Sequence, residues 1–331
     1  MRRKNLIFGS MKAWLPSCLL ALALLAACGP SPRQRTAAVL DDVESYINER
    51  PDSALAVLRA LDSTAVRGRA LRARVALLHS MALDKCYIDL QTDSILAPAV
   101  SYYASHGSPD EKLRTQYYLG RLQYNAGEYQ EAIVTYTEAL ALTDRATDYK
   151  YIGFVNQAIA DTYGVTNLEQ EALPFLNTAY NCFDKGGYKE MALRTQYKIA
   201  CLYGTEKRVH LADSLFRDLL NKDLSGFLRM HVLSDYGFFL TANNLDTKRS
   251  IQLFEQAVRD FGTLLNVNHW AAYAYALSVE NRKKESESLF RQIEDLFGQD
   301  PFLLYLLLRS DFYRYYPSFS YIYGHKKDSL A

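Results

Sequence analysis

No HExxH, GxSxG, GxGxxG or Walker pattern occurs in the 331 residues. The spacings that build zinc proteases, serine hydrolases, dinucleotide enzymes and phosphate-binding loops are therefore missing. The six histidines are scattered, and adjacent carboxylates such as Asp41-Asp42 diverge on a helix. Lys283, Lys284, Glu285 and Glu287 read as a charged turn. No enzymatic activity, cofactor or metal site is expected. An excess of one charge is also missing: 38 basic residues face 37 acidic ones, a formal charge of +1, which excludes the electrostatic footprint of a nucleic-acid binder. Of five cysteines, Cys18 and Cys28 lie at the N-terminus; Cys86, Cys182 and Cys201 remain, with no CxxC and no zinc spacing. Three small buried hydrophobes are the plain reading, and a Cys182–Cys201 disulfide is the alternative.

What is present begins with a targeting segment. Arg2, Arg3, Lys4 and Lys12 precede an apolar run from Cys18 to Ala27, too short and too early for a spanning helix. Met11 is a second candidate start, giving a compact leader of its own. Leu25-Ala26-Ala27-Cys28 resembles a bacterial lipobox, which implies cleavage of residues 1–27 and acylation of Cys28; an ordinary secretory signal is the alternative. Residues 28–35, rich in proline and without an apolar residue after Cys28, are expected to form a flexible tether. Gly29, where an inner-membrane lipoprotein of enteric bacteria carries Asp, and the absence of an acidic run after Cys28 imply an outer-membrane anchor facing the periplasm.

From residue 36 the chain repeats. A small residue opens a second helix at Ala54, Ser94, Ala132, Ala172, Ala212, Ser250 and Ser286. Four places on lie Leu58, Pro98, Tyr136, Leu176, Phe216, Phe254 and Phe290. Small and then large residues at i and i+4 share one helix face, and a period between about 34 and 45 marks a helical solenoid. The expected class is all-α, with about six to seven helix pairs over 36–300 and a capping helix with an aromatic tail over 301–331, which reads as a cap cut short or a chain that once continued. Pro98, lacking an N–H, is expected to kink its helix or delay its start.

The clearest copy runs from Leu113 to Leu142. Its Leu119, Gly120, Gly127, Tyr129, Ala132, Tyr136 and Ala139 resemble the tetratricopeptide repeat (TPR), with Tyr124 one place late for the aromatic of the first helix. The resemblance implies a right-handed α-α superhelical solenoid; HEAT-like repeats are the structural alternative. It also implies a concave groove lined from first helices. Carried over from repeat starts at Leu113, Gly153, Leu193, His231 and Val267, the lining is Arg114, Tyr117, Arg121, Tyr124, Gln157, Asp161, Arg194, Tyr197, Asp235, Phe239 and Tyr275. Tyr and Arg suit a binding surface, and Arg114, Arg121 and Arg194 favour an acidic or phosphate-bearing guest.

With a lipobox, the chain resembles the TPR lipoproteins common in Bacteroidota. The functional expectation is a membrane-anchored adaptor or scaffold holding a protein or peptide partner; oligomeric state is open. The alternatives are a glycan-capture lipoprotein of the SusD-like class and the sensor part of a signalling system. Asp-Ser pairs followed by an aliphatic residue or Thr resemble the O-glycosylation site of Bacteroidota, making Ser53, Ser63, Ser94, Ser214 and Ser329 candidates. The same pairs also suit helix N-caps, three of them at expected helix starts.

Overall fold

A computed structural model describes residues 31–88, 92–166, 168–262, 265 and 267–297. The lipobox at Cys28, Ser329 and the expected tail over 301–331 lie outside these residues. The chain divides after Thr147 into two compact units. Among the described residues there are fourteen α-helices, one short 3-10 turn and no strand.

Unit 1 holds α1 (Pro32–Tyr46), α2 (Pro51–Arg59), α3 (Arg69–Lys85), α4 (Ala97–His106), α5 (Pro109–Asn125) and α6 (Tyr129–Leu140). Local chemistry sets several starts. Ser31 with Gln34 and Ser108 with Glu111 form reciprocal capping boxes, each followed by a proline whose missing N–H costs nothing in the first turn. Pro98 sits in the first turn of α4. The helix therefore starts late, and Ser94 lies in the turn before it rather than opening it. Tyr136, at 0% exposure, fills the α5–α6 crossing. A Cβ on Gly120 would stand 2.3 Å from its ring, so only glycine admits that approach.

Unit 2 holds α7 (Tyr149–Val165), α8 (Ala172–Lys185), α9 (Lys189–Thr205), α10 (Val209–Leu220), α11 (Gly226–Ala242), α12 (Thr247–Phe261), α13 (Val267–Val279) and α14 (Lys283–Phe297). Its core repeats one crossing: Ala160 clusters with Leu176, Ala200 with Phe216, and Gly237 lies against Phe254. The first two pairs match Gly120 and Tyr136 in sequence spacing and the third is one residue longer, so the small-against-large pattern is the packing rule of both units. Phe183, two turns beyond Leu176, fills a second crossing against Gly153. Lys283 to Glu287 correct an expectation: they form the start of α14 and not a charged turn.

Within each unit, consecutive helices pack as antiparallel neighbours, and first helices also meet: α1 touches α3, α3 touches α5, α9 touches α11, and α11 touches α13. This is the expected all-α stack of TPR-like helix pairs. One turn recurs inside the pairs. The N–H of Ile88, Glu128, Leu168, Arg208, Leu245 and Arg282 donates to the carbonyl five residues earlier, at 2.8–3.0 Å, which is the Schellman closure of a helix C-terminus. The closure needs a left-handed residue, supplied by Tyr87, Gly127, Lys207, Asn244 and Asn281. Gly127 announces this in sequence most clearly, Asn244 and Asn281 less so, and Tyr87 and Lys207 not at all.

Candidate functional site

In unit 1 the first helices are tied to one another by charge. Glu44 on α1 accepts from Arg74 at 2.7 Å and from Arg114 at 2.6 Å, and Arg74 also meets Asp41 at 2.6 Å. Burial alone would raise the Glu44 carboxyl, but the two guanidiniums outweigh it and hold it below its ordinary value. Arg121 on α5 donates from Nε and Nη2 to the same oxygen, Oδ1, of Asp84 on α3, at 3.1 and 2.9 Å. Tyr117 and Tyr124 are half-buried, edge-on to Tyr118 and Tyr129 with ring centres 5.0 and 5.3 Å apart.

Unit 2 repeats the arrangement with other residues. Lys198 on α9 donates to Asp161 on α7, and Thr195 reaches Gln157 at 3.5 Å. Asp235 on α11 accepts from the Tyr197 hydroxyl, and its Oδ1 meets His269 Nε2 on α13 at 2.6 Å. Cys201 adjoins this group. Burial first, and then the Asp235 carboxylate, push its thiol up to about 12, so it is no thiolate nucleophile near neutral pH. Burial, Cys201 and Asp235 raise the Tyr197 phenol as well. Arg194 is the exposed member: it pairs with Glu190 at 3.0 Å, one turn away, and lies over the Phe227 ring at 5.9 Å. Phe227 is 61% exposed and edge-on to His231, with ring centres 4.5 Å apart.

The expected lining is thus on first helices, but much of it is engaged within the fold. Arg114, Arg121 and Arg194, expected to recruit an acidic or phosphate-bearing guest, each face a carboxylate of their own unit, which neutralises the charge such a guest would seek. Phe239 corrects the list: at 5% exposure it belongs to the core beside Phe216 and Tyr236 and is out of a partner's reach. Gln157, Asp161, Tyr197, Asp235 and Tyr275 are half-buried. The eleven residues fall four in unit 1 and seven in unit 2. Sequence reasoning missed Phe227, Arg74, Glu44, Asp84, Lys198 and His269. A signal existed for three pairs: Asp84 with Arg121, Asp161 with Lys198 and Asp235 with His269 are 37, 37 and 34 residues apart, a repeat less about one helical turn.

Cys86, Cys182 and Cys201 are free thiols, so the disulfide alternative is set aside. Ser53, Ser63, Ser94 and Ser214 are exposed. The aspartates before them have varied duties, and the N-cap explanation fails at Asp213. That residue lies inside α10, where it accepts from the Tyr236 hydroxyl at 2.6 Å and pairs with Arg217 at 2.9 Å. Asp62 closes a turn onto the Thr64 N–H at 2.8 Å.

No protein-family model matches the chain, and no curated protein matches it in sequence. Solved structures do resemble it. The apo form of the quorum sensor NprR from B. thuringiensis is 16% identical at TM-score 0.64, over 82% of this chain and 80% of that one. The apo form of RapI is 12% identical at TM-score 0.62, over 80% and 77%. NprR in complex with its cognate peptide NprX is 16% identical at TM-score 0.57, over 86% and 85%. Identities this low speak for the fold alone.

Proposed function

We propose that the chain is a membrane-anchored TPR adaptor of the Bacteroidota lipoprotein kind, lipidated at Cys28 on the periplasmic face of the outer membrane and holding a peptide or protein partner on first-helix faces. The observation that carries the reading is the surface around Phe227 in unit 2. There an exposed ring, flanked by His231 and by Arg194, stands on a first helix with no core to fill. An exposed aromatic ring on a rigid scaffold is the kind of group that anchors interfaces. The peptide complex of NprR gives the partner class a precedent on a similar fold.

A photo-crosslinking residue in place of Phe227 should capture a partner from native membranes. The control is the same residue at Ser214, exposed on a second helix. Equal capture from both positions would refute the first-helix surface. Saturable binding in calorimetry against a glycan panel would favour the SusD-like alternative. For the anchor, Cys28→Ser should release the protein from the membrane pellet or leave it unprocessed, since stable anchoring needs more than one acyl chain. Mature, membrane-bound Cys28→Ser protein would refute lipidation there.

A further inference from the structure

The exposed charge of unit 1 is unevenly placed. Residues 59–74 carry five arginines against one acidic residue, Asp62, in a chain whose formal charge is +1. Arg74 is taken up by Asp41 and Glu44, and Asp62 accepts from the N–H and the hydroxyl of Thr64 at 2.8 Å. Arg59, Arg67, Arg69 and Arg72 are exposed, as are Arg33 and Arg35 in the first turn of α1. Among the described residues, Arg33, Arg59, Arg69 and Arg72 form no ion pair. Packing does not ask for such a cluster. Like charges gathered without counter-charges repel one another. Four of them also stand in the first turns of α1 and α3, where the helix dipole favours anions and neither turn has an acidic residue.

The topology gathers these arginines on one edge. Because α1, α2 and α3 alternate in direction, the start of α1, the end of α2 and the start of α3 lie together, and the Arg74–Asp41 pair at 2.6 Å holds α1 and α3 side by side. This edge is also the one tied to Cys28. Ser31, the N-cap of α1, follows Cys28 by three residues, which span at most about 11 Å. The next first helix along the edge, α5, starts with Asp110 and Glu111 instead, so the basic surface is confined to the end of the array nearest Cys28.

We infer that this arginine edge of unit 1 lies against an anionic phospholipid surface, that of the membrane holding the acyl chains of Cys28. The inference takes that anchor from the reading above and goes beyond it, adding the face that unit 1 turns to the membrane. Attraction between exposed charges reaches about 8–10 Å at physiological ionic strength, which is comparable with the reach of the tether. Guanidinium groups offer paired N–H donors to phosphate oxygens, and a basic patch beside an acyl anchor strengthens its hold.

The test uses the mature chain, residues 28–331, without acylation, sedimented with phosphatidylcholine vesicles that contain either no anionic lipid or about one-third phosphatidylglycerol. Wild type should pellet with the anionic vesicles at low salt, stay in solution with phosphatidylcholine alone, and leave the anionic vesicles at about 0.5 M salt. An arginine near an anionic surface strengthens binding about fivefold. Arg69→Gln should therefore weaken binding about fivefold and Arg59→Gln/Arg69→Gln/Arg72→Gln about a hundredfold, with the melting temperature level because no ion pair is lost. Arg50, exposed at the opposite edge of the same unit where α1 ends and α2 begins, is the control, and Arg50→Gln should leave binding unchanged. If the triple variant folds poorly, the two single variants and the salt dependence of wild type carry the test. No pelleting at low salt, pelleting that ignores salt, or equal losses in Arg50→Gln and Arg69→Gln would overturn the membrane-facing edge. The unacylated chain makes this assay independent of the anchor, whose own failure shows in the fractionation of Cys28→Ser.

Discussion

Gly120→Ala is the sharpest probe of the packing rule. The new Cβ would stand 2.3 Å from Cε1 of Tyr136 and 2.6 Å from Cδ1, inside contact distance on a ring that is 0% exposed and cannot swing away. Overpacking of that kind costs about 1–3 kcal/mol, offset by the roughly 0.5–1 kcal/mol that alanine gains over glycine inside a helix. A net loss of about 1–2 kcal/mol is expected. The chain also contains the remedy, since Ala160 packs in one cluster with Leu176 at the corresponding crossing of unit 2. Tyr136→Leu alone should cost about 2 kcal/mol through the void it leaves. The double variant Gly120→Ala/Tyr136→Leu should cost less than the two single losses together, by about 1 kcal/mol or more. Urea unfolding followed by helix circular dichroism gives the total, and hydrogen exchange of α5 and α6 peptides localises it, because a repeat array need not unfold in one step. Undiminished protection in Gly120→Ala, or strict additivity in the double variant, would show that the crossing is not the constraint.

Lys207 holds a left-handed conformation, φ 57°; Lys207→Gly should remove about 1–2 kcal/mol of strain against roughly 0.4–1 kcal/mol of added chain freedom, so a slight rise in the urea midpoint is expected and a fall would count against strain there. Asp235→Ala removes the carboxylate that accepts from the Tyr197 hydroxyl and meets the His269 ring, which is 8% exposed, and should cost about 1–3 kcal/mol; loss-free unfolding curves would show that the ladder between first helices is ornamental. For pH, the Glu44 carboxyl is held below its unfolded value of 4.5. Its contribution is therefore fully present above that value and is lost as pH falls through the lower folded one. Glu44→Gln should flatten the acid limb of the stability profile in unit 1, and an unchanged acid limb would contradict the Arg74–Glu44–Arg114 cluster.

The sequence by itself determined the helix-pair architecture and its phase. A core face built on a small residue with a large one four places on leaves a periodic trace, and Ala132, Tyr136, Ala172, Ala212, Phe216, Ser250 and Phe254 are all buried as that trace requires. Capping is equally legible where Ser108, Pro109 and Glu111 stand together, because it acts over one turn of chain. Surface chemistry was legible only in part. Position in a repeat tells which helix carries a side chain, and the expected lining does lie on first helices. It does not tell whether a charge faces solvent or a partner one repeat away. Arg114, Arg121 and Arg194 read as free cations in sequence, and only the stacking of successive first helices brought Glu44 and Asp84 against the first two. Likewise Phe239 shares its helix with the half-buried Asp235, one turn earlier, yet helix twist and the approach of α10 place its ring in the core. Local hydrogen bonding and hydrophobic period are written within a few turns of chain, whereas the partner of a polar group depends on which distant turn packs across from it.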